Sequence, residues 1–189
     1  MKPIKTIRNI AAALALSISA AAAFAQEPVQ LPEPLFITSA GQSADAALVE
    51  VVLRRGGTTA ELGELVTQEA LAESAPGTLI VVMGGSQKGL GAAGINTDEE
   101  LARVNSLLDW AEANDVVLVG VHVGGEGRRG PLSESFISGT APRMDLLIVT
   151  AEGNTDGYFT GVAEEGGIEF IELADTFEVG TAIQEHLQQ

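Results

Sequence analysis

The stretch Leu79–Gly94, LIVVMGGSQKGLGAAG, decides the fold. Its first five residues, Leu79–Met83, are aliphatic without polar alternation, and Pro76-Gly77 and Gly84-Gly85 bound them. An uninterrupted apolar run of this length is typical of a strand buried on both faces, as in a parallel sheet. Five glycines, a serine, a glutamine and a lysine fill much of the rest of the stretch. We therefore expect the strand to end in a loop whose backbone can approach a ligand closely.

Similar apolar runs alternate with helical patterns along the chain. The other predicted strands are 35–38, 116–123, 144–150 and 168–173, with a poor edge strand within 58–66. The predicted helices are 44–55, 67–74, 97–114, 132–139, 158–165 and 177–187. Such alternation predicts an α/β fold, a three-layer doubly wound domain of Rossmann-like or flavodoxin-like type. Its sheet is expected to be mostly parallel, with five or six strands in the order 2-1-3-4-5 and a single domain.

Two helices carry finer predictions. The first is expected to bury Ala47, Leu48, Val51 and Val52, with Ser43 as its N-cap. The helix from Thr97 is expected to open with a capping box, Thr97 with Glu100 three residues on.

Residues 1–25 have the composition of a secretory signal peptide. A basic start precedes the apolar run 10–23, and Ala23-Phe24-Ala25 fits the usual cleavage pattern. Cleavage after Ala25 leaves an extended arm, 26–34, and an α/β domain, 35–189. We therefore expect a periplasmic or secreted protein that is not embedded in a membrane after cleavage.

Composition excludes several function classes. The formal charge is −16, and loss of residues 1–25 leaves seven basic against all 26 acidic residues, or −19. Such a surface repels nucleic acid and anionic lipid, so neither is an expected partner. The absence of cysteine excludes disulfides and a thiol nucleophile. We expect no cofactor and no transition metal, whereas carboxylates leave calcium open.

The loops that follow the strands indicate where a site lies. In a parallel sheet these loops meet at one edge, and ligands bind there near the switch point of strand order. The loops SAGQS (39–43), 84–94, 124–130 and 151–157 are rich in glycine and small polar residues, whereas the opposite connections are plainer. The sequence therefore predicts a ligand site at the carboxyl edge of the sheet.

Three of the seven basic residues in 26–189 fall in these loops: Lys88, Arg128 and Arg129. With backbone amides and serine hydroxyls they could bind a carboxylate or phosphate group, although the arginines could instead pair only with Glu126 or Glu134. Asn154 and Asp156 are expected to recognise hydroxyl or amine groups. The candidate ligand-binding residues are Ser39, Gly41, Gln42, Ser43, Gly85, Ser86, Lys88, Glu126, Arg128, Arg129, Asn154 and Asp156.

Catalysis is an alternative use of the same edge. Ser86 follows a strand as a nucleophile elbow does, but Lys88 occupies the last position of the G-x-S-x-G pattern. Ser86 and His122 could form a catalytic pair with Asp156 or Glu126, or His122 could be a half-buried strand residue bonded to a loop. A nicotinamide site is not expected, because the glycines at 89, 91 and 94 do not open a helix directly after the strand.

Four loop segments together resemble a family of small exported bacterial α/β domains of unknown function: ITSAGQSADA (37–46), GGSQKGLGAAGI (84–95), HVGGEGRRG (122–130) and AEGNTDGYF (151–159). The resemblance implies the fold and a shared site at these loops, and it implies no activity. The main prediction is an exported module that binds a small anionic metabolite and hands it to a membrane transporter or sensor. The alternatives are a hydrolase or isomerase using Ser86 and His122, and a protein-interaction domain without a small ligand.

Overall fold

A computed structural model describes residues 27–188. Its centre is a six-stranded, all-parallel sheet in the order β2-β1-β3-β4-β5-β6. The strands are β1 (Leu35–Ala40), β2 (Ala60–Leu62), β3 (Thr78–Met83), β4 (Val117–His122), β5 (Leu146–Thr150) and β6 (Glu169–Leu173). The doubly wound prediction is confirmed, and β6 extends the expected order beside β5. The predicted signal peptide, 1–25, lies outside the described residues.

The apolar runs occupy the middle of the sheet, as their composition predicts. All six residues of β1 and all six of β3 are buried, and Ile37 pairs in register with Ile80. The edge strand β2 has only three residues, none of them buried. A strand covered on both faces needs apolar side chains on both, which explains why β3 lacks alternation.

Seven α-helices cover the two faces of the sheet in the described chain. They are α1 (Asp45–Arg55), α2 (Gln68–Ser74), α3 (Gln87–Ala93), α4 (Thr97–Ala113), α5 (Pro131–Thr140), α6 (Tyr158–Gly166) and α7 (Val179–His186). One apolar cluster joins the sheet to α1 and α7, and a second joins its other face to α2–α6. This three-layer arrangement buries both faces of the sheet.

The prediction of which face of α1 is buried was wrong: the buried face is rotated by part of a helical turn from the predicted one. Its buried apolar residues are Ala46, Val49, Val52 and Leu53, whereas Leu48 is 41% exposed. The N-cap residue is Ala44 rather than Ser43; the Ser43 hydroxyl donates to the buried carboxylate of Asp45 at 3.0 Å and accepts a longer bond from the Asp45 amide at 3.4 Å. Asp45 lies on the same buried side of α1 as Val49, Val52 and Leu53.

Two further differences concern α3 and α4. The glycine loop contains the short helix α3, which begins after Ser86, whose hydroxyl accepts from the Gly89 amide at 3.0 Å. The capping box of α4 uses Asn96 and Glu99, not Thr97 and Glu100. Each lies one residue earlier than predicted, and Glu100 therefore turns inward.

The described part of the N-terminal arm packs against the end of the chain. Leu31 is fully buried and forms a parallel bridge with Leu187, and the Val29 amide donates to Glu169 at 2.6 Å. Among residues 27–188, no helix combines the length and apolar character needed to cross a membrane.

Candidate functional site

The switch point of the sheet lies between β1 and β3. The chain leaves β1 toward α1 on one face and leaves β3 toward α3 on the other, which in open α/β sheets creates a ligand crevice. Here the two loops bond to each other: the Ser86 amide donates to the Gly41 carbonyl at 2.8 Å, and the Gly84 amide donates to the Ala40 carbonyl at 3.0 Å. The floor of the crevice is therefore closed by protein, and a ligand has to bind above it.

The turn after β1 has an unusual backbone. Gly41 has φ +107°, and a Cβ there would lie 2.6 Å from the Gly84 carbonyl oxygen. Gln42 follows with φ +57°, a left-handed conformation that is uncommon outside glycine. A turn of this kind persists only where surrounding contacts enforce it.

Glu100 of α4 supplies those contacts. Its side chain is fully buried, and one carboxylate oxygen accepts from the Gly41 amide at 3.0 Å and from the Gln42 side chain at 2.9 Å. Arg103 donates to the same carboxylate through Nε and Nη2, both at 2.8 Å, and also reaches the carbonyls of Ser39 and Val66. A buried ion pair with its remaining donors and acceptors bonded can offset the cost of desolvation.

Neither Glu100 nor Arg103 was among the predicted site residues, although the sequence contains a signal. Glu100 stands four residues before Val104 and seven before Leu107, both on the buried stripe of α4. A carboxylate at that spacing has to be paired inside the protein.

A cavity of about 480 Å³, which we call the switch-point pocket, lies above the closed crevice. The loops after β1 and β2, Ser86 and helix α3 form it. Its lining residues are Gln42, Ser43, Ala44, Glu64, Leu65, Ser86, Lys88, Gly89, Ala92 and Ala93. Lys88 is exposed and makes no hydrogen bond or ion pair with the rest of the described chain. Ser86 accepts from Gly89, which leaves its hydroxyl hydrogen free to donate. The pocket therefore presents an ammonium group and a hydroxyl donor.

The other polar candidates near the switch point are less accessible. Ser43 is 1% exposed and donates to Asp45 at 3.0 Å. Arg128 lies 3.6 Å from the other oxygen of Asp45, with about half of its side chain exposed. Ser39 is buried, and its hydroxyl has no partner in the described structure.

Arg129 has a different role from Arg128, although the sequence analysis assigned both arginines to the same predicted site. It donates to Glu134 at 2.6 Å, to the Gly153 carbonyl at 2.6 Å and to both oxygens of Asp156 at 3.1 Å. Its guanidinium also lies 5.0 Å from the ring centre of Phe159. Burial opposes the charge, but bonds to Glu134 and Asp156 outweigh it and raise the pKa of Arg129. Its three nitrogens are all engaged, so Arg129 joins two loops and is not available to a ligand.

Asn154 and Glu126 lie in the same loop region as Arg129. The Asn154 amide donates to Thr160 and Glu172, and its oxygen accepts from the Phe159 amide at 3.0 Å. Glu126 accepts from Thr155 at 3.0 Å. The twelve candidates thus fall into two clusters, one at the switch point and one after β4 and β5. The second contains Glu126, Arg129, Asn154 and Asp156.

His122 ends β4 and is 1% exposed. Its Nδ1 lies 2.8 Å from the Met83 carbonyl, which can only accept, so Nδ1 carries the proton and the buried Nε2 has no partner in the described chain. The ring stacks on Phe159 with centroids 5.3 Å apart. Burial lowers the pKa of His122, which keeps the imidazole neutral. No hydrogen bond joins His122 to Ser86, so the described structure does not form the catalytic pair.

A second cavity, of about 500 Å³, lies at the opposite edge of the sheet. The basic residue that lines it, Arg143, donates to Asp109 and Glu112 at 2.7 Å, so its guanidinium is already paired with carboxylates of the protein. Within residues 27–188, no cluster of three or more histidine or carboxylate side chains is arranged to bind a metal ion. The switch-point pocket is the cavity that combines a free cation with the expected edge of the sheet.

Comparison with known proteins gives a family and no activity. The profile of a family described as Domain of unknown function (DUF6305) matches residues 32–187. A search of curated proteins found no significant relative.

Three solved structures are similar in fold at low identity. A GDSL-like lipase from Bacteroides thetaiotaomicron is 12% identical over 73% of this chain, with a TM-score of 0.36. The match spans 66% of the lipase, just under two thirds of its length. A flavodoxin mutant from Pseudomonas aeruginosa is 15% identical over 80% of this chain and 89% of its own, with a TM-score of 0.38. The esterase EstA from a Pseudoalteromonas species is 10% identical over 82% and 94%, with a TM-score of 0.33.

Proposed function

The chain belongs to the family described as Domain of unknown function (DUF6305), and we propose that it is a binding module for a small carboxylate-bearing molecule. The ligand binds in the switch-point pocket, with its carboxylate on Lys88 and the hydroxyl of Ser86. The observation that supports this most directly is the uncommitted Lys88 in a chain with 26 acidic residues.

A free cation is unusual here because most basic side chains of the described chain are already paired. Arg54, Arg103, Arg129 and Arg143 each form ion pairs within about 3 Å, and Arg128 lies 3.6 Å from Asp45. Lys88 has no such partner in the described chain. An ammonium group that pairs with no carboxylate of residues 27–188 is available to an anion from solution.

The remainder of the lining indicates the shape of the ligand. Ala44, Leu65, Ala92 and Ala93 provide an apolar wall, and Leu65 is 46% exposed. The volume lies within the usual range for small-molecule sites, which pair apolar walls with a few polar groups. A short aliphatic carboxylate fits this combination better than a phosphate ester, whose two charges need more donors than Lys88 and Ser86 provide.

The place of action is part of the proposal. The signal-like composition of residues 1–25 supports a role outside the cytoplasm. There the module would capture its ligand and pass it to a membrane transporter or sensor. Because the pocket is open and has a single cation, we expect a dissociation constant on the order of 1 mM for a simple carboxylate.

Calorimetric titration with isocaproate tests the proposal. We expect binding to the wild-type protein, and at least roughly fivefold weaker binding to Lys88→Ala because the cation of the pocket is lost.

Arg55→Ala is the matched control. Arg55 is likewise exposed and unpaired in the described chain, but it lies at the opposite end of α1. Its loss changes net charge equally and should leave the affinity within about twofold of wild type. Equal weakening in both variants would show a general charge effect, and no binding by the wild type would refute the proposal.

A further inference from the structure

The switch-point pocket also contains a carboxylate. Glu64 lines it from the loop after β2, and its side chain is exposed. Its backbone carbonyl accepts from the Gln42 side chain at 2.9 Å, which fixes the residue at the pocket wall. The Glu64 carboxylate itself forms no hydrogen bond or ion pair within the described chain. The pocket thus holds two uncommitted groups of opposite charge.

Lys88 and Glu64 line the same cavity and yet do not pair. Elsewhere in the protein, exposed arginine–carboxylate neighbours do pair, as Arg54 does with Glu50 at 2.8 Å. Lys88 lies in α3, after β3, whereas Glu64 lies in the loop after β2, and β1 separates these two strands in the sheet; no ion pair within 4.0 Å joins the two side chains in the described chain. A cation and an anion separated in this way match the opposite charges of a zwitterion.

From this arrangement we propose that the ligand is an amino-acid-like zwitterion with an aliphatic side chain. This inference rests on the proposed function and adds the second charge. The ligand carboxylate binds Lys88 and Ser86, its ammonium group binds Glu64, and its side chain lies along Leu65, Ala92 and Ala93. An ammonium group close to a lone carboxylate gains charge-assisted hydrogen bonds that a plain carboxylic acid cannot make.

The pocket has few free polar groups, and most of the remaining lining is apolar. This favours an amino acid over a larger, more polar zwitterion as the ligand. The side-chain donors of Gln42 and Ser43 are used internally: the Gln42 nitrogen donates to Glu100 and to the Glu64 carbonyl, and the Ser43 hydroxyl donates to Asp45. Beyond Lys88, Ser86 and Glu64, the lining offers mainly methyl and methylene groups. Two charges close together with an apolar side chain match the Lys88 ammonium, the Glu64 carboxylate and the apolar part of the lining.

The test compares three probes that differ by one group each. Leucine carries both charges, isocaproate lacks the ammonium group, and isoamylamine lacks the carboxylate. We expect leucine to bind roughly three- to tenfold more tightly than either analogue. In Glu64→Gln, leucine and isocaproate should bind with similar affinity, because the partner of the ammonium group is lost.

The outcomes distinguish a failure of the zwitterion inference from a failure of the proposed function. If isocaproate binds as tightly as leucine and Glu64→Gln changes neither, the zwitterion inference is refuted while the carboxylate site stands. If none of the three probes binds, the proposed function fails and the inference fails with it. Glu61→Gln is the control for lost charge, since Glu61 is an exposed residue of β2 that does not line the pocket.

Discussion

Glu100 shows at the scale of a single residue how the switch point is built. Its buried carboxylate binds a backbone amide, the Gln42 side chain and Arg103. The left-handed turn at Gln42 and the loop contacts of the pocket floor therefore depend on one charged side chain. Removing its charge leaves Arg103 largely buried without a counterion, which is the costly way to break an ion pair.

Glu100→Gln should lower the free energy of unfolding by about 3–5 kcal/mol. Urea-induced unfolding measures the loss. Glu50→Gln is the control, because it breaks the exposed pair with Arg54 and should cost no more than about 0.5 kcal/mol. Similar small losses in both variants would contradict the role assigned to Glu100.

The two histidines should titrate in opposite directions from the usual value of about 6.5. His122 is buried, which lowers its pKa. Burial also opposes the charge of His186, but its nitrogens lie 3.0 Å from Glu169 and 2.7 Å from the Ala182 carbonyl, and these acceptors raise its pKa. Proton NMR titration, assigned with His186→Gln, checks both directions. A pKa of His186 below that of His122 would contradict the contacts described.

These shifts have opposite consequences for stability. The contribution of His186 is fully present below its unfolded pKa of about 6.5 and is lost as pH rises through the higher folded pKa. The neutral His122 contributes fully above about pH 6.5, and that contribution falls as pH drops toward its lower folded pKa. The difference in unfolding free energy between wild type and His186→Gln should therefore shrink as pH rises above the unfolded pKa of about 6.5. A difference that grows as pH rises would contradict the raised pKa of His186.

At the scale of the element, α3 is the structure that sequence patterns do not show. Gly89 and Gly91 each disfavour a helix by roughly 1 kcal/mol relative to alanine, so the stretch predicts a loop. The reason for glycine at 89 is tertiary: a Cβ there would collide with the Gln42 carbonyl oxygen. The close approach of α3 to the turn after β1 is visible only in three dimensions.

Alanine substitutions at Gly89 and Gly91 in α3 should change the stability of the protein in opposite directions. Gly89→Ala should destabilise the protein by about 1–3 kcal/mol or more, because its Cβ meets the backbone of Gln42. Beyond its own helix, a Cβ at Gly91 would meet no described atom within 4 Å, and Gly91→Ala should stabilise the protein by about 0.5–1 kcal/mol. Thermal unfolding compares them. Equal effects would show that α3 does not pack on the turn as described.

The other elements were largely predictable because their patterns are strong. The strands β3, β4 and β5 are almost wholly buried, and uninterrupted apolar runs that alternate with helical patterns are typical of parallel strands covered on both faces. The helical phase of α1 was missed because two apolar faces one residue apart fit the same spacing. The structure buries the face that carries Asp45, whose carboxylate accepts from the Ser43 hydroxyl.

At the scale of the whole molecule, the sequence predicted one site at the carboxyl edge of the sheet, whereas the structure divides the candidate residues there into two clusters. Arg128 and Arg129 are adjacent in sequence, yet one is half exposed and the other is enclosed by Glu134, Asp156 and Phe159. Only the folded chain shows that these partners converge on Arg129. The same holds for Glu64, which becomes a site residue because β2 lies beside β1.

The measurement that tests the binding site most directly is an NMR titration of the ¹⁵N-labelled protein with leucine. Binding at the switch-point pocket predicts that the largest saturable amide shifts fall on Glu64, Leu65 and Ser86–Gly89, and that they weaken in Lys88→Ala. Shifts concentrated on the loops after β4 and β5, or no saturable shifts, would contradict a ligand site at the switch point.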